Sequence, residues 1–215
     1  MTPAVRAALA AAPCVLVLAG LAAERPEGAL VWSLCAALLG AALHTFGAST
    51  EPAPRERLFL ALGLVAFAAA TAGVAVATGA PRPLAAAGPA VCLFGLGVVA
   101  ASRWRSTVRA ALPLVAALLL FLGGLPDLFG SGSAAWARTD PAVGAFVLDL
   151  SPATWVCETA GLDWMRHPSV YAPAGTDWFS DVRRPFGPTL GLAALATGLL
   201  AVFAARRRTT TRNAR

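Results

Sequence analysis

Six long apolar runs, separated mostly by short turns rich in charge and proline, constrain this chain more than any other feature. They cover roughly residues 7–23, 29–48, 58–79, 84–102, 108–125 and 187–205. A helix of ~20 predominantly apolar residues crosses the hydrocarbon core of a bilayer, and each run approaches that length. None carries an acid in its interior. The breaks are compact: Glu24-Arg25-Pro26-Glu27, Glu51-Pro52-Ala53-Pro54-Arg55-Glu56-Arg57, Pro81-Arg82-Pro83 and Arg103-Trp104-Arg105. In lipid each run must be helical, because hydrocarbon offers backbone amides no other partner.

Composition agrees. Of the 215 residues, 58% are hydrophobic and only 13% are charged. A soluble domain has about 45–50% apolar and about 25% charged residues. A water-soluble fold of this size cannot hide so much apolar surface behind so few charges. The predicted fold class is therefore an all-α integral membrane protein, a six-transmembrane-helix bundle. Three parts follow: a five-span membrane bundle over 1–125, an extracytoplasmic segment with short interfacial helices over 126–186, and the sixth span with a basic cytoplasmic tail over 187–215.

Arginine placement sets the orientation. With the N-terminus cytoplasmic, eleven of the seventeen basic residues, all arginine, lie inside, and nine of the eleven acids lie outside. Both termini are then cytoplasmic, in the plasma (bacterial inner) membrane. The arginines sit between apolar runs and form no single basic stripe, which excludes a nucleic-acid partner. Arg6, the apolar run after it and Ala22-Ala23 before Glu24 also fit a cleaved secretory signal peptide. The proline-containing turn and the second run that follow at once favour a retained first span.

Within lipid, helices associate through small residues that let backbones approach. Ala69, Gly73 and Ala77 recur at spacing four in the third run; Gly187, Gly191, Ala194 and Gly198 mark the sixth; Gly88, Gly95 and Gly97 mark the fourth. These are expected packing surfaces, within the chain or between copies of a homodimer. Pro13, Pro89 and Pro113 lie inside spans, where each removes a backbone hydrogen bond.

Intramembrane ionisable groups mark ion and proton paths. The spans contain no Asp, Glu, Lys or interior Arg, and His44, near a cytoplasmic end, is the one candidate. No H-E-x-x-H occurs, and Ser33 and His44 are roughly 16 Å apart along one helix, too far for a dyad. Cys14, Cys35 and Cys92 fall in apolar runs and Cys157 outside them; no pair has metal-ligand spacing. The sequence thus predicts no enzyme, no cofactor and no metal.

The outer segment, residues 126–186, holds Trp136, Trp155, Trp164 and Trp178. Tryptophan favours the membrane–water boundary, so this segment is expected to cap the helix ends at the outer leaflet. Ser151-Pro152 predicts a helix from Pro152 to Ala160, with serine as N-cap and Gly161 as terminator. Asp140-Pro141 predicts another helix through Phe146 and Leu148. Gly161-Leu162-Asp163-Trp164 echoes as Gly175-Thr176-Asp177-Trp178. The echo reads either as two capped turns with interfacial tryptophans or as an outer binding surface of Glu158, Asp163, Trp164, His167, Asp177 and Trp178. Arg183 and Arg184 precede the last span, with Asp177, Asp181 or anionic headgroups available to neutralise them.

From about Ala110 to Arg208, including Leu150-Ser151-Pro152 and Arg206-Arg207-Arg208, the layout resembles the C-terminal part of permease subunits of ATP-binding-cassette exporters. The resemblance implies six spans, short outer helices between the fifth and sixth, and transport driven by an ATPase on another chain, since no G-x-x-x-x-G-K-[ST] occurs here. The loop between the second and third spans, Ser49 to Arg57, is shorter than that family's. The expected function is a transport-associated, permease-like subunit partnered by the lipid bilayer and a separate ATPase. The alternative is a membrane scaffold that presents its Trp-rich outer segment to a partner.

Overall fold

A computed structural model describes residues 3–22, 26–47, 54–103, 141–162 and 184–205. The fifth apolar run with Pro113, the repeated Asp-Trp turns and the arginine-rich tail lie outside the described residues.

Every element among the described residues is helical. The α-helices are α1 (Pro3–Leu18), α2 (Pro26–Gly47), α3 (Pro54–Ala77), α4 (Pro83–Arg103), α5 (Pro141–Leu150), α6 (Pro152–Thr159) and α7 (Pro188–Ala205), and a 3-10 turn at Ala19–Ala22 extends α1. Each of these α-helices begins with proline. At the first helical position the missing N–H would have no intrahelical acceptor anyway, and the fixed φ already suits the helix.

Two helices end alike. Gly79 after α3 and Gly161 after α6 take φ of +81° and +83°, the left-handed region that glycine enters without strain. Behind Gly79, the amides of Gly79 and Ala80 donate to Val76 O and Ala75 O at 3.0 and 2.8 Å. Behind Gly161, the amides of Gly161 and Leu162 donate to Glu158 O and Cys157 O at 3.0 and 2.9 Å. Both are Schellman stops. One bond ties them together: Arg82 N donates to Ala160 O at 3.0 Å.

The long helices pack through an apolar centre. Val17, Leu30, Leu34, Leu64, Phe67, Val74, Val91 and Phe94 are buried, with the Phe67 and Phe94 rings 5.4 Å apart and tilted. Helices α1 and α2 are antiparallel: Gly40 packs on Pro13 at one end, and Gly20 packs on Ala29 at the other.

The tightest pairing is α4 with α7. A Cβ on Gly88 would run into the carbonyl of Gly191, and one on Gly95 into the carbonyl of Gly198. Both pairs advance by seven residues in the same direction, so α4 and α7 are parallel, with their backbones in direct contact over two turns. The small residues of the fourth and sixth runs thus form a seam, as expected. The Ala69, Gly73 and Ala77 stripe does not pack among the described residues: all three are exposed, and a Cβ on Gly73 would meet nothing within 4 Å.

One window, Leu60–Ala77 in α3, is long and apolar enough to cross a membrane; the apolar stretches of α1, α2, α4 and α7 are shorter among the described residues. Large apolar side chains face outward along all five long helices, among them Val15, Leu39, Leu62, Val65, Leu84 and Leu200.

Candidate functional site

Helix α6 is short, begins at Pro152 and stops at Gly161, as the sequence predicts, but it is not a surface cap. Pro152, Ala153, Thr154, Val156, Cys157, Glu158 and Thr159 are all buried. It packs against α2, α4 and α7. Three contacts fix its place. The Ala160 carbonyl takes the Arg82 amide just before α4. Glu158 Oε2 accepts the Phe186 amide just before α7 at 2.8 Å. Gly191, in the first turns of α7, lies under Thr159, where a Cβ would sit 2.9 Å from the threonine Cβ. The aromatic edge of Trp155 meets Phe186 with centroids 6.3 Å apart, and the Trp155 indole N–H donates to Asp149 O.

The N-terminal ends of α4 and α7 therefore meet at α6. Helix α2 packs on α6 as well, and the Glu27 carboxylate in its first turn raises the Cys157 thiol. Each helix N-terminus carries roughly half a positive elementary charge. Gathering two of them around α6 gives Glu158 a favourable potential, which helps explain why a carboxylate only 4% exposed is tolerated here.

The hydroxyls divide into two groups. Buried Ser33, Thr71 and Thr159 each donate to a carbonyl of their own helix: Leu30 O at 2.6 Å, Phe67 O at 2.9 Å and Trp155 O at 2.7 Å. Ser151 and Thr154 are equally buried, yet Ser151 Oγ and Thr154 Oγ1 have no hydrogen-bond partner among the described residues; Glu27 Oε2 is the third such oxygen. Thr154 lies in the first turn of α6, and the residue four back, Leu150, belongs to α5 and not to its own helix. Ser151 has the extended backbone of an N-cap, φ −78° and ψ 120°, but its side chain makes no cap bond. The expected serine cap is therefore absent in its side-chain role, and proline at the first position takes over the helix start.

Burial pushes the Cys157 thiol well above its ordinary value, and the carboxylates of Glu27 and Glu158 push it further in the same direction. It is a neutral, fully buried group, a small hydrophobe and not a nucleophile. The four cysteines are free. Among the described residues no group of three His, Cys, Asp or Glu side chains is placed to hold a metal.

Of the six residues predicted for an outer binding surface, Glu158 is described, and it is buried in the bundle, where it holds the start of α7. Asp163, Trp164, His167, Asp177 and Trp178 lie outside the described residues, as does the side chain of His44. The sequence reading missed Thr154 and Glu27. Thr154 looked like an ordinary helix residue and Glu27 like loop punctuation. The available signal was the recurrence of Ser151, Thr154 and Glu158 at steps of three and four, one stripe of a helix.

Comparison with known protein families, with characterised proteins and with solved structures finds no match for this chain.

Proposed function

We propose that this chain is a six-span protein of the plasma membrane, both termini cytoplasmic, acting as a permease-like subunit of a transport assembly whose ATPase is a separate chain. The observation that carries the reading is the parallel pairing of α4 with α7 around buried α6. Two parallel helices with no other described span between them require the intervening chain to recross the bundle. Residues 104–187 contain one further apolar run, 108–125, of the right length to do so. Outward-facing Val15, Leu62, Val65, Val76 and Leu200, each more than half exposed, suit lipid better than water. The arginine pattern then puts α6 at the outer end, between the fifth and sixth spans, where exporter permeases carry short helices.

Two experiments test this. A reporter active only outside the cytoplasm, fused after Arg82, should be active, and the same reporter after Arg105 should be silent; the reverse pattern overturns the topology. Purification from native membranes in mild detergent should recover a nucleotide-binding chain. Recovery without one overturns the transport reading.

A second reading, a scaffold subunit without a substrate path, is favoured by the α4–α7 seam. Where Gly88 touches Gly191 and Gly95 touches Gly198 there is no room for a path between those two helices.

A further inference from the structure

We infer that the start of the α4–α7 seam binds an anionic phospholipid, with Arg82 and Arg184 on the headgroup phosphate and Leu84, Leu190 and Leu192 along its acyl chains. The inference rests on the membrane reading, whose topology puts this end at the outer leaflet. It is independent of transport.

Two hydrogen bonds bring the arginines to one place. The Arg82 amide donates to Ala160 O at 3.0 Å, and the Phe186 amide, two residues after Arg184, donates to Glu158 Oε2 at 2.8 Å. Glu158 and Ala160 stand two residues apart at the end of α6, ~3 Å along its axis. The chain therefore enters α4 and α7 across the same turn. The seam agrees: Gly88 meets Gly191, and six residues back from each lie Arg82 and Pro185, the neighbour of Arg184. Gly161 helps to place the Arg82 side chain. Its Cδ and Nε lie 3.4 Å from where a Cβ on that glycine would stand, so the stem runs along the end of α6.

Charge is sorted by depth here. Arg82 and Arg184 are exposed. The described carboxylates at this end lie inward: Glu158 is 4% exposed and takes the Phe186 amide, and Glu27 Oε2 is enclosed. The surface thus shows guanidinium and hides carboxylate. Leu84, in the first turn of α4, and Leu190 and Leu192, in the first turns of α7, are 62, 41 and 49% exposed.

Two cations followed along both helices by bare leucine match the order of a phospholipid, charge and then hydrocarbon. A free phosphate would use the arginines alone, and a neutral apolar molecule the leucines alone. Guanidinium suits the ligand because its planar N–H groups pair with phosphate oxygens, often two at a time. Each arginine at a membrane surface favours anionic lipid by about fivefold.

The test is thermal unfolding of the full chain in mild detergent, followed by tryptophan fluorescence, with long-chain phosphatidylglycerol, phosphatidylcholine or inorganic phosphate added. The expected result is a saturable rise in Tm with phosphatidylglycerol, a smaller one with phosphatidylcholine and none with inorganic phosphate. Arg82→Gln and Arg184→Gln should each raise the half-saturating phosphatidylglycerol about fivefold, and Arg82→Lys and Arg184→Lys should restore part of that loss. Either position serves if variants at the other do not fold. Arg206→Gln, Arg207→Gln and Arg208→Gln combined, in the basic tail, should leave the midpoint in place. An equal response to phosphatidylcholine or to inorganic phosphate overturns the site, as does a midpoint that moves only with the tail variant. An unchanged midpoint at both positions means that acids of the chain itself, such as Asp177 and Asp181, neutralise the arginines, and also overturns it. A chain soluble without detergent overturns the membrane reading and this site with it; a detergent-dependent chain indifferent to lipid overturns this site alone.

Discussion

Gly191→Ala should loosen the bundle at its most crowded point. The new Cβ would sit 2.9 Å from the Ala85 carbonyl carbon on α4 and 2.9 Å from Thr159 Cβ on α6. Carbon atoms prefer about 3.5–4.0 Å, so roughly 0.6–1.1 Å must be recovered on two sides at once. Moving α7 away from α4 brings no relief at Thr159, and the α4 neighbour is backbone that cannot rotate aside. Overpacking of this kind is destabilising by about 1–3 kcal/mol, occasionally more. Alanine's better helix propensity returns about 1 kcal/mol, leaving a net loss of up to about 2 kcal/mol. For a chain of this size that is a drop of up to roughly 8 °C in Tm, and Gly73→Ala carries the same propensity gain without the clash. Gly73→Ala is the matched control. It is a glycine inside α3 with nothing within 4 Å of the new methyl, so it should leave stability unchanged or raise it. The assay is thermal unfolding of both variants and the wild type in the same detergent. If Gly191→Ala unfolds no earlier than Gly73→Ala, the backbone seam does not hold α7 in place and the packing argument fails.

Three more expectations follow from the same region. Glu158→Gln exchanges a charge-assisted bond to the Phe186 amide for a neutral one and should lower stability by about 1 kcal/mol, with earlier proteolytic cleavage near Phe186 as the local readout. Cys157 should resist a water-soluble maleimide in the folded protein and react after denaturation, scored by mass spectrometry of the peptide that contains it. Its thiol stays protonated in the fold above the ordinary value of 9.0, near which the unfolded chain releases the proton. Unfolding therefore sheds a proton in that range, and stability should fall as pH rises past about 9, an effect that Cys157→Ala should reduce in the pH–Tm curve. Trp155→Phe keeps the ring edge on Phe186 but deletes the donor to Asp149 O, so it should cost about 1 kcal/mol, with Trp155→Ala clearly worse.

The limits of the helices were legible in the sequence because they are set locally. The apolar runs, the prolines at their starts and the glycine after Ala160 each act through nearest neighbours, and α1 to α4, α6 and α7 lie within a few residues of expectation. Partner choice was not legible. In alanine-rich helices small residues recur at spacing four by chance, and nothing in the chain itself separates Gly191, which meets α4 and α6, from Gly73, which meets nothing. Helix α6 shows the same limit at the site. Its tryptophan suggested an interfacial surface, because tryptophan favours the membrane–water boundary. Burial comes from α2, α4 and α7 closing around it, with α2 more than a hundred residues away in sequence. The unpaired hydroxyl of Ser151 was hidden for another reason: the residue type and backbone suit a cap, and only the side-chain rotamer departs from one.

The prolines that open α1 to α7 have a consequence for how such a chain is made. Each fixes where a rod begins before any neighbour exists to pack against it. A nascent segment leaving the ribosome therefore already carries its own starting mark, and the assembled molecule has only to choose who stands beside whom. Errors of synthesis or mutation in this protein should accordingly show up as mispaired rods of correct length, not as rods of the wrong length.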